Sequence, residues 1–281
     1  MSAPQLKRLS FRFLMRQVLI MTKYLIIMLM EVQRSFLYKF DFLVGLLSQG
    51  LILITTLFLW RSIYQSSALT AQIPYQQGEL LQYLIIANFL ALLFSFNHLL
   101  RLSQLIKSGK LTMILSRPIS LLAESFAVYL GNRLIVVIAL SSLIVVGQSH
   151  YSSLSPYYWF FLLVYLFTSV TMFFLLLSLI STLSFWVIQM WPLRPLLNGF
   201  YLLLGGLYFP LDLLPEPLYQ FLKQSPFALA GHLLTKSLQG LLPFEELIHS
   251  IGVASLWSVV LYVSYRASLK AGLKRFEGVG H

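Results

Sequence analysis

The chain has 281 residues, of which 58% are hydrophobic and 10% charged. A soluble domain carries roughly 25% charged residues, so a water-covered globule of this length is excluded. The net charge is +11, and the absence of cysteine excludes disulfides, thiolate metal sites and cysteine nucleophiles.

The apolar residues gather in long runs, and a bilayer core of about 30 Å needs roughly 20 of them per helix. Near the start, Leu25–Met30 is followed at once by Glu31, Arg34 and Lys39, which is no cleavage-site pattern. Residues 18–40 mix charges with Leu, Ile, Phe and Tyr, and predict an amphipathic helix in the inner membrane interface. A cytoplasmic stub helix is the plainer alternative. Six spans follow in order: Phe42–Trp60, Leu80–Leu100, Leu122–Val146, Tyr158–Leu179, Leu196–Leu211 and Ile248–Tyr265. Pro195 suits the first turn of the fifth. The expected fold is all-α and polytopic, a single domain over 1–281 with a cytoplasmic or interfacial segment 1–41, spans within 42–265 and a tail 266–281.

Between spans five and six, Pro210, Pro215, Pro217 and Pro226 cut residues 209–241 into pieces too short to cross. They predict short helices in the outer leaflet, with Pro215-Glu216 opening one of them. Backbone of that kind is tolerated at depth only where protein or water covers it.

Positive charge orients the chain. Lys7, Arg8, Arg12, Arg16, Lys23, Arg34 and Lys39 precede span one. Arg101, Lys107, Lys110 and Arg117 join spans two and three, Arg194 precedes span five, and Arg266, Lys270, Lys274 and Arg275 follow span six. Only Arg61, Lys223 and Lys236 fall on the opposite side, and Arg133 is intramembrane. This asymmetry predicts that both termini are cytoplasmic.

No nucleotide-binding loop is present. Gly109-Lys110 is the one Gly-Lys pair, but Gln104 and Leu111 stand where the phosphate loop needs Gly and Ser or Thr. Glu245, Glu246 and His249 lack the spacing of a zinc motif and read as the polar end of span six. The remaining histidines, His98, His150, His232 and His281, are scattered, and no nucleophile with its base is evident, so the chain is not expected to be an enzyme. Arg133 lies about 10 Å into span three at 1.5 Å per residue, where an arginine costs roughly 2–3 kcal/mol unless paired or snorkelling. Glu124 falls on the opposite helix face, while Asn97 and Ser95 lie at a suitable depth. A polar lining and a snorkelling arginine are both open readings. Ser250, Ala254 and Ser258, and Gly205-Gly206, mark close helix approach. The aromatic run Tyr157–Phe161 reads as an outer interfacial anchor.

Three stretches carry a family likeness. They are Ile106-Lys107-Ser108-Gly109-Lys110-Leu111 with Leu115-Ser116-Arg117-Pro118-Ile119-Ser120; Tyr208-Phe209-Pro210-Leu211 with Leu214-Pro215 and Pro226-Phe227; and Ala271-Gly272-Leu273-Lys274-Arg275-Phe276. In this order and spacing the chain resembles the ABC-2 type permeases, in particular the six-span bacterial subfamily associated with multidrug and viologen-type export. The resemblance implies the membrane subunit of an exporter in a bacterial inner membrane. It implies a substrate path lined by spans one, two and five. It also implies a second permease subunit, identical or related, and a cytoplasmic ATPase dimer. ATP and Mg would be held by that ATPase, leaving this chain without a cofactor; no nucleic acid is expected. Lys107, Gly109, Lys110, Leu111, Leu115 and Arg117 would form the ATPase contact, and Leu111, Met113, Ile114 and Leu115 offer it an apolar edge. A basic loop that only sets topology is the alternative for these residues. A secondary transporter would show internal repeats and helices broken at mid-membrane, and a lipid-modifying enzyme or scaffold would need clustered acids; neither pattern is evident.

Overall fold

The computed structural model describes residues 21–34, 36–37, 39–65, 75–117, 120–146, 155–187 and 189–278. Lys7, Arg8, Arg12, Arg16, Pro118, Ile119, His150 and His281 therefore lie outside the described residues. In chain order the helices are α1 (residues 21–34), α2 (Lys39–Gln65), α3 (Gln77–Leu93), α4 (Arg101–Lys107), α5 (Lys110–Leu115) and α6 (Leu121–Val146). They continue as α7 (Pro156–Ser181), α8 (Leu193–Leu204), α9 (Glu216–Lys223), α10 (Pro226–Ala230), α11 (His232–Leu238) and α12 (Phe244–Gly278). The protein is all-α and polytopic: among the described residues five helical segments, from Leu43, Gln77, Leu121, Pro156 and Phe244, are long and apolar enough to cross a membrane.

The sequence explains the starts of several helices. Ser155 caps α7 by accepting from the Tyr158 N–H at 3.3 Å, with Pro156 in the first turn. Ser225 caps α10 in the same way, with Pro226 behind it. The predicted start at Pro215-Glu216 is that of α9.

Packing centres on α7 and α12. Leu247, Ser250, Ala254, Leu261 and Tyr265 are buried, and their spacing of three, four, seven and four residues forms one stripe of α12. The small residues Ser250 and Ala254 sit within that stripe and permit close approach. The 35-residue α12 continues past the expected end of span six, so the basic tail residues Arg266, Lys270, Lys274 and Arg275 are helical. By contrast, α2 exposes most of its apolar side chains, among them Leu47, Leu51, Phe58 and Leu59.

The fifth expected span differs from its prediction. Leu196–Leu211 is not one helix: α8 has 12 residues, about 18 Å at 1.5 Å per residue, and it stops at Gly205-Gly206. Gly206 has φ 73°, a left-handed conformation that glycine adopts without a Cβ clash. Beyond the turn, α10 and α11 pack into the bundle with most of their residues buried, while α9 stays largely exposed, with Leu222 its buried residue. Leu229 of α10 meets Tyr165, which lies about 14 Å along α7 from Pro156 at 1.5 Å per residue. Tight backbone contact closes the joint: the His232 N–H donates to the Gly205 carbonyl at 2.7 Å. A Cβ at Gly231 would lie 2.1 Å from that carbonyl oxygen.

Backbone groups away from regular helices need partners at this depth, since an unsatisfied one costs several kcal/mol in hydrocarbon. Here aromatic and amide side chains supply them. Tyr83 donates to the Gly206 carbonyl at 2.6 Å, Tyr165 to Leu229 at 2.7 Å and Tyr201 to Ala230 at 3.1 Å. The Tyr158 hydroxyl sits between the Ser237 and Leu242 carbonyls, at 3.1 and 3.2 Å. Trp60 donates to Tyr208 at 3.0 Å and Gln239 to Glu79 at 3.0 Å.

Candidate functional site

Span two is not continuous either. α3 ends at Leu93, Ser95 takes an extended conformation (φ −71°, ψ 150°), and a 3-10 turn over Phe96–Leu100 leads into α4. A helix end inside a membrane leaves carbonyls without partners and a partial negative charge. Arg133 of α6 answers both. Its guanidinium donates to the Leu92 carbonyl at 3.3 Å and to the Ser95 hydroxyl at 2.5 Å, and lies 5.6 Å from the centre of the Tyr129 ring. Arg133 is buried, at 9% exposure, so it does not snorkel. Ser95 is one of its two expected partners; Asn97, the other, is exposed and is not among the groups that Arg133 bonds. The packing of the break is aromatic: Phe94 lies 4.9 Å from Phe173, Phe96 5.4 Å from Phe173, and Phe173 5.0 Å from Tyr201, centre to centre. The broken second span, α7 and the half-length α8 thus share one cluster.

Below the break lies the basic hairpin. α4 ends at Lys107, Gly109 turns the chain with φ 67°, and α5 begins at Lys110. Ser116 and Arg117 close α5, with the Ser116 hydroxyl donating to the Met113 carbonyl at 2.9 Å. The expected apolar edge is split by helix geometry. Leu111 and Ile114 point inward, buried with Leu102 and Leu121 and flanked by Leu105, Ile106, Phe185, Leu269 and Phe276. Met113 and Leu115 point outward, at 53% and 44% exposure. Lys107, Gly109, Lys110 and Arg117 are all exposed. Six expected contact residues therefore divide into one anchor, Leu111, and five that face out.

The N-terminal helix joins the same end. The Tyr24 hydroxyl lies 3.3 Å from the Ser120 backbone nitrogen, and a Cβ on Gly131 would fall 2.5 Å from the Met28 carbonyl oxygen. These contacts run along α6, so α1 leans against span three over its first turns. Glu124, a poor partner for Arg133 by helix phase, instead pairs with Arg101 at 3.1 Å.

The opposite end holds a second polar group that sequence inspection passed over, because its members are far apart in the chain. Asp212 accepts from Tyr75 at 2.5 Å and from Lys236 at 3.0 Å. His232 is fully buried. Its Nδ1 accepts from the Leu211 N–H at 3.3 Å and lies 2.9 Å from the Tyr83 hydroxyl, which leaves the Nε2 proton facing Asp212 at 4.0 Å. Burial pushes this ring down to about 3, against the pull of the Asp212 carboxylate. Burial raises the Asp212 carboxyl, but His232, the Tyr75 hydroxyl and Lys236 outweigh it and hold it below the usual range. Glu246 is engaged nearby with Lys223, at 2.5 Å, while His249 is exposed.

The described residues thus form a multi-pass all-α bundle, with a basic helical hairpin at one end and short helices packed at the other. Residues 51–280 match the ABC-2 family transporter proteins, and the chain belongs to that family. It is a membrane subunit of the kind that works with an ABC ATPase. No similar sequence is found among curated proteins.

Proposed function

We propose that this chain is the membrane-spanning subunit of an exporter, and that a separate ATPase dimer drives it through the α4–α5 hairpin. The observation that carries this reading is the hairpin itself, within the region matched to the family. Its inner face is buried against Phe185, Leu269 and Phe276, while Lys107, Lys110, Met113, Leu115 and Arg117 are left outward. A push on that outer face passes directly to the ends of α7 and α12. In this reading the basic end and both termini are cytoplasmic, in a bacterial inner membrane. ATP and Mg reside in the ATPase. A second permease, identical or related, covers part of the exposed face of α2, and the path runs along α2, the broken second span and the half-length α8. The scarcity of charge along those spans suits amphipathic or hydrophobic compounds, including delocalised cations.

The test is co-expression with a cognate ATPase, followed by purification and reconstitution in liposomes. ATP-dependent efflux of an amphipathic dye, and its loss in the triple substitution Lys107→Glu, Lys110→Glu, Arg117→Glu with the permease still folded, are expected. Unimpaired ATPase capture and efflux by that variant would remove the hairpin from the coupling path.

A further inference from the structure

The last turns of α12 have two unlike faces. The helix has 35 residues, about 52 Å at 1.5 Å per residue, against a hydrocarbon core of about 30 Å. The turns after Tyr265 therefore stand outside the core, on the hairpin side. Tyr265, Leu269, Gly272 and Phe276 fall within about 60° of one another at 100° per residue and form the packed face. Tyr265 and Gly272 are buried, and Leu269 and Phe276 flank the hairpin seat. A Cβ at Gly272 would run into the Phe185 ring, and the Ser268 hydroxyl lies 2.6 Å from that of Thr182. These contacts fix the rotation of the helix about its own axis.

The other face is basic and open. Arg266, Lys270 and Lys274 recur every four residues, about 40° apart around the helix, and all three are exposed. With Ala267, Leu269 and Leu273 they line, among the described residues, a surface recess of about 600 Å³. None of the three cations is ion-paired within the described residues. Residues 266–277 carry Arg266, Lys270, Lys274 and Arg275 against one acid, Glu277.

Depth selects the partner. The headgroup layer on each side of the core is about 5–8 Å thick. Arg266 stands at its inner edge, Lys270 about 6 Å further out and Lys274 about 12 Å. Cβ bonds tilt toward the helix N-terminus, so all three side chains lean back toward the bilayer, and the Lys274 stem can return its ammonium to the headgroups. This row of cations is longer than a single phosphate covers. Leu269 and Leu273 beside it offer apolar contact to an amphiphile.

We propose that this face holds one anionic phospholipid with two phosphates, of the cardiolipin kind, in the leaflet on the hairpin side. Leu269 lines the recess and also flanks the hairpin seat, so a lipid held there braces the seat from outside.

The purified full-length chain is delipidated in neutral detergent, and lipid retention is measured by native mass spectrometry. The probes are cardiolipin, phosphatidylglycerol at matched phosphate and phosphatidylcholine; cardiolipin is expected to be held best. A cation near the membrane surface is worth about a factor of five. Lys270→Gln is therefore expected to weaken cardiolipin about fivefold, and the triple variant Arg266→Gln, Lys270→Gln, Lys274→Gln about a hundredfold, both with unchanged Tm in phosphatidylcholine. Arg275→Gln removes the same charge about 140° away from Lys270 and is expected to leave retention unchanged. Equal losses in Lys270→Gln and Arg275→Gln would reduce the effect to net charge and overturn the site. Equal retention of cardiolipin and phosphatidylglycerol would leave the second phosphate without a role and overturn it too. Undiminished cardiolipin binding by the triple variant, with capture of the ATPase lost instead, would assign this face to the ATPase and reject the lipid.

Discussion

At the scale of single residues, Arg133 was visible in the sequence as an anomaly but not as a solution. A charge deep in span three is expensive, and depth alone nominated Ser95 as a partner. What the linear pattern could not show is the break in span two, which frees the Leu92 carbonyl to be the second partner. Replacing Arg133 by Ala strands that buried carbonyl and is expected to cost about 1–3 kcal/mol, read as a lowered Tm in detergent. Arg133→Lys is expected to recover only part, since an ammonium lacks the planar fork that reaches both oxygens. His232 makes a second residue-scale prediction. Folded, its ring titrates near 3, against 6.5 for the ordinary group. The unfolded chain therefore takes up the proton first, so this contribution is full above pH 6.5 and is lost as pH falls toward 3. Asp212 acts in the same direction at lower pH, because its folded carboxyl is depressed below 3.8. Protection factors over residues 206–241, corrected for the intrinsic slowing of amide exchange at lower pH, are expected to fall from pH 7 to pH 5; equal protection would show that His232 is not held neutral.

At the scale of elements, glycine positions separate tight joints from open ones. Gly231 packs against the Gly205 carbonyl, whereas a Cβ at Gly252 of α12 meets nothing within 4 Å. Gly231→Ala is expected to destabilise by about 1–3 kcal/mol through overpacking. Gly252→Ala is expected to stabilise by about 0.5–1 kcal/mol, because alanine loses less backbone freedom in a helix. Thermal unfolding of the two variants checks the contrast. The hairpin divides in the same manner. Leu111→Ala empties a fully buried position and is expected to cost about 2–5 kcal/mol. Met113→Ala and Leu115→Ala, both at exposed positions, are expected to leave Tm nearly unchanged and to weaken ATPase capture.

At the scale of the whole molecule, orientation is open to direct measurement because the chain has no cysteine. Single substitutions Ser108→Cys, in the hairpin turn, and Gln220→Cys, on α9, are expected to label from opposite sides of intact inverted and right-side-out vesicles. Labelling of both from one side would contradict the charge-derived topology. The membrane character, the helical class, five of the six spans near their expected places and the basic connection with its glycine turn all followed from the sequence. They rest on local composition and on charge, which need no knowledge of what packs where. The fifth span did not follow. Leu196–Leu211 is apolar throughout its middle, and hydropathy counts apolar residues without detecting that the backbone can leave the helix at Gly205-Gly206. Only the tertiary structure decides that, because Tyr83, Tyr165 and Tyr201 from α3, α7 and α8 supply the hydrogen bonds that make a broken backbone tolerable at depth. The same holds for the Arg133 clamp and the Asp212–His232 cluster, whose members stand tens of residues apart or more and meet only once the helices have packed.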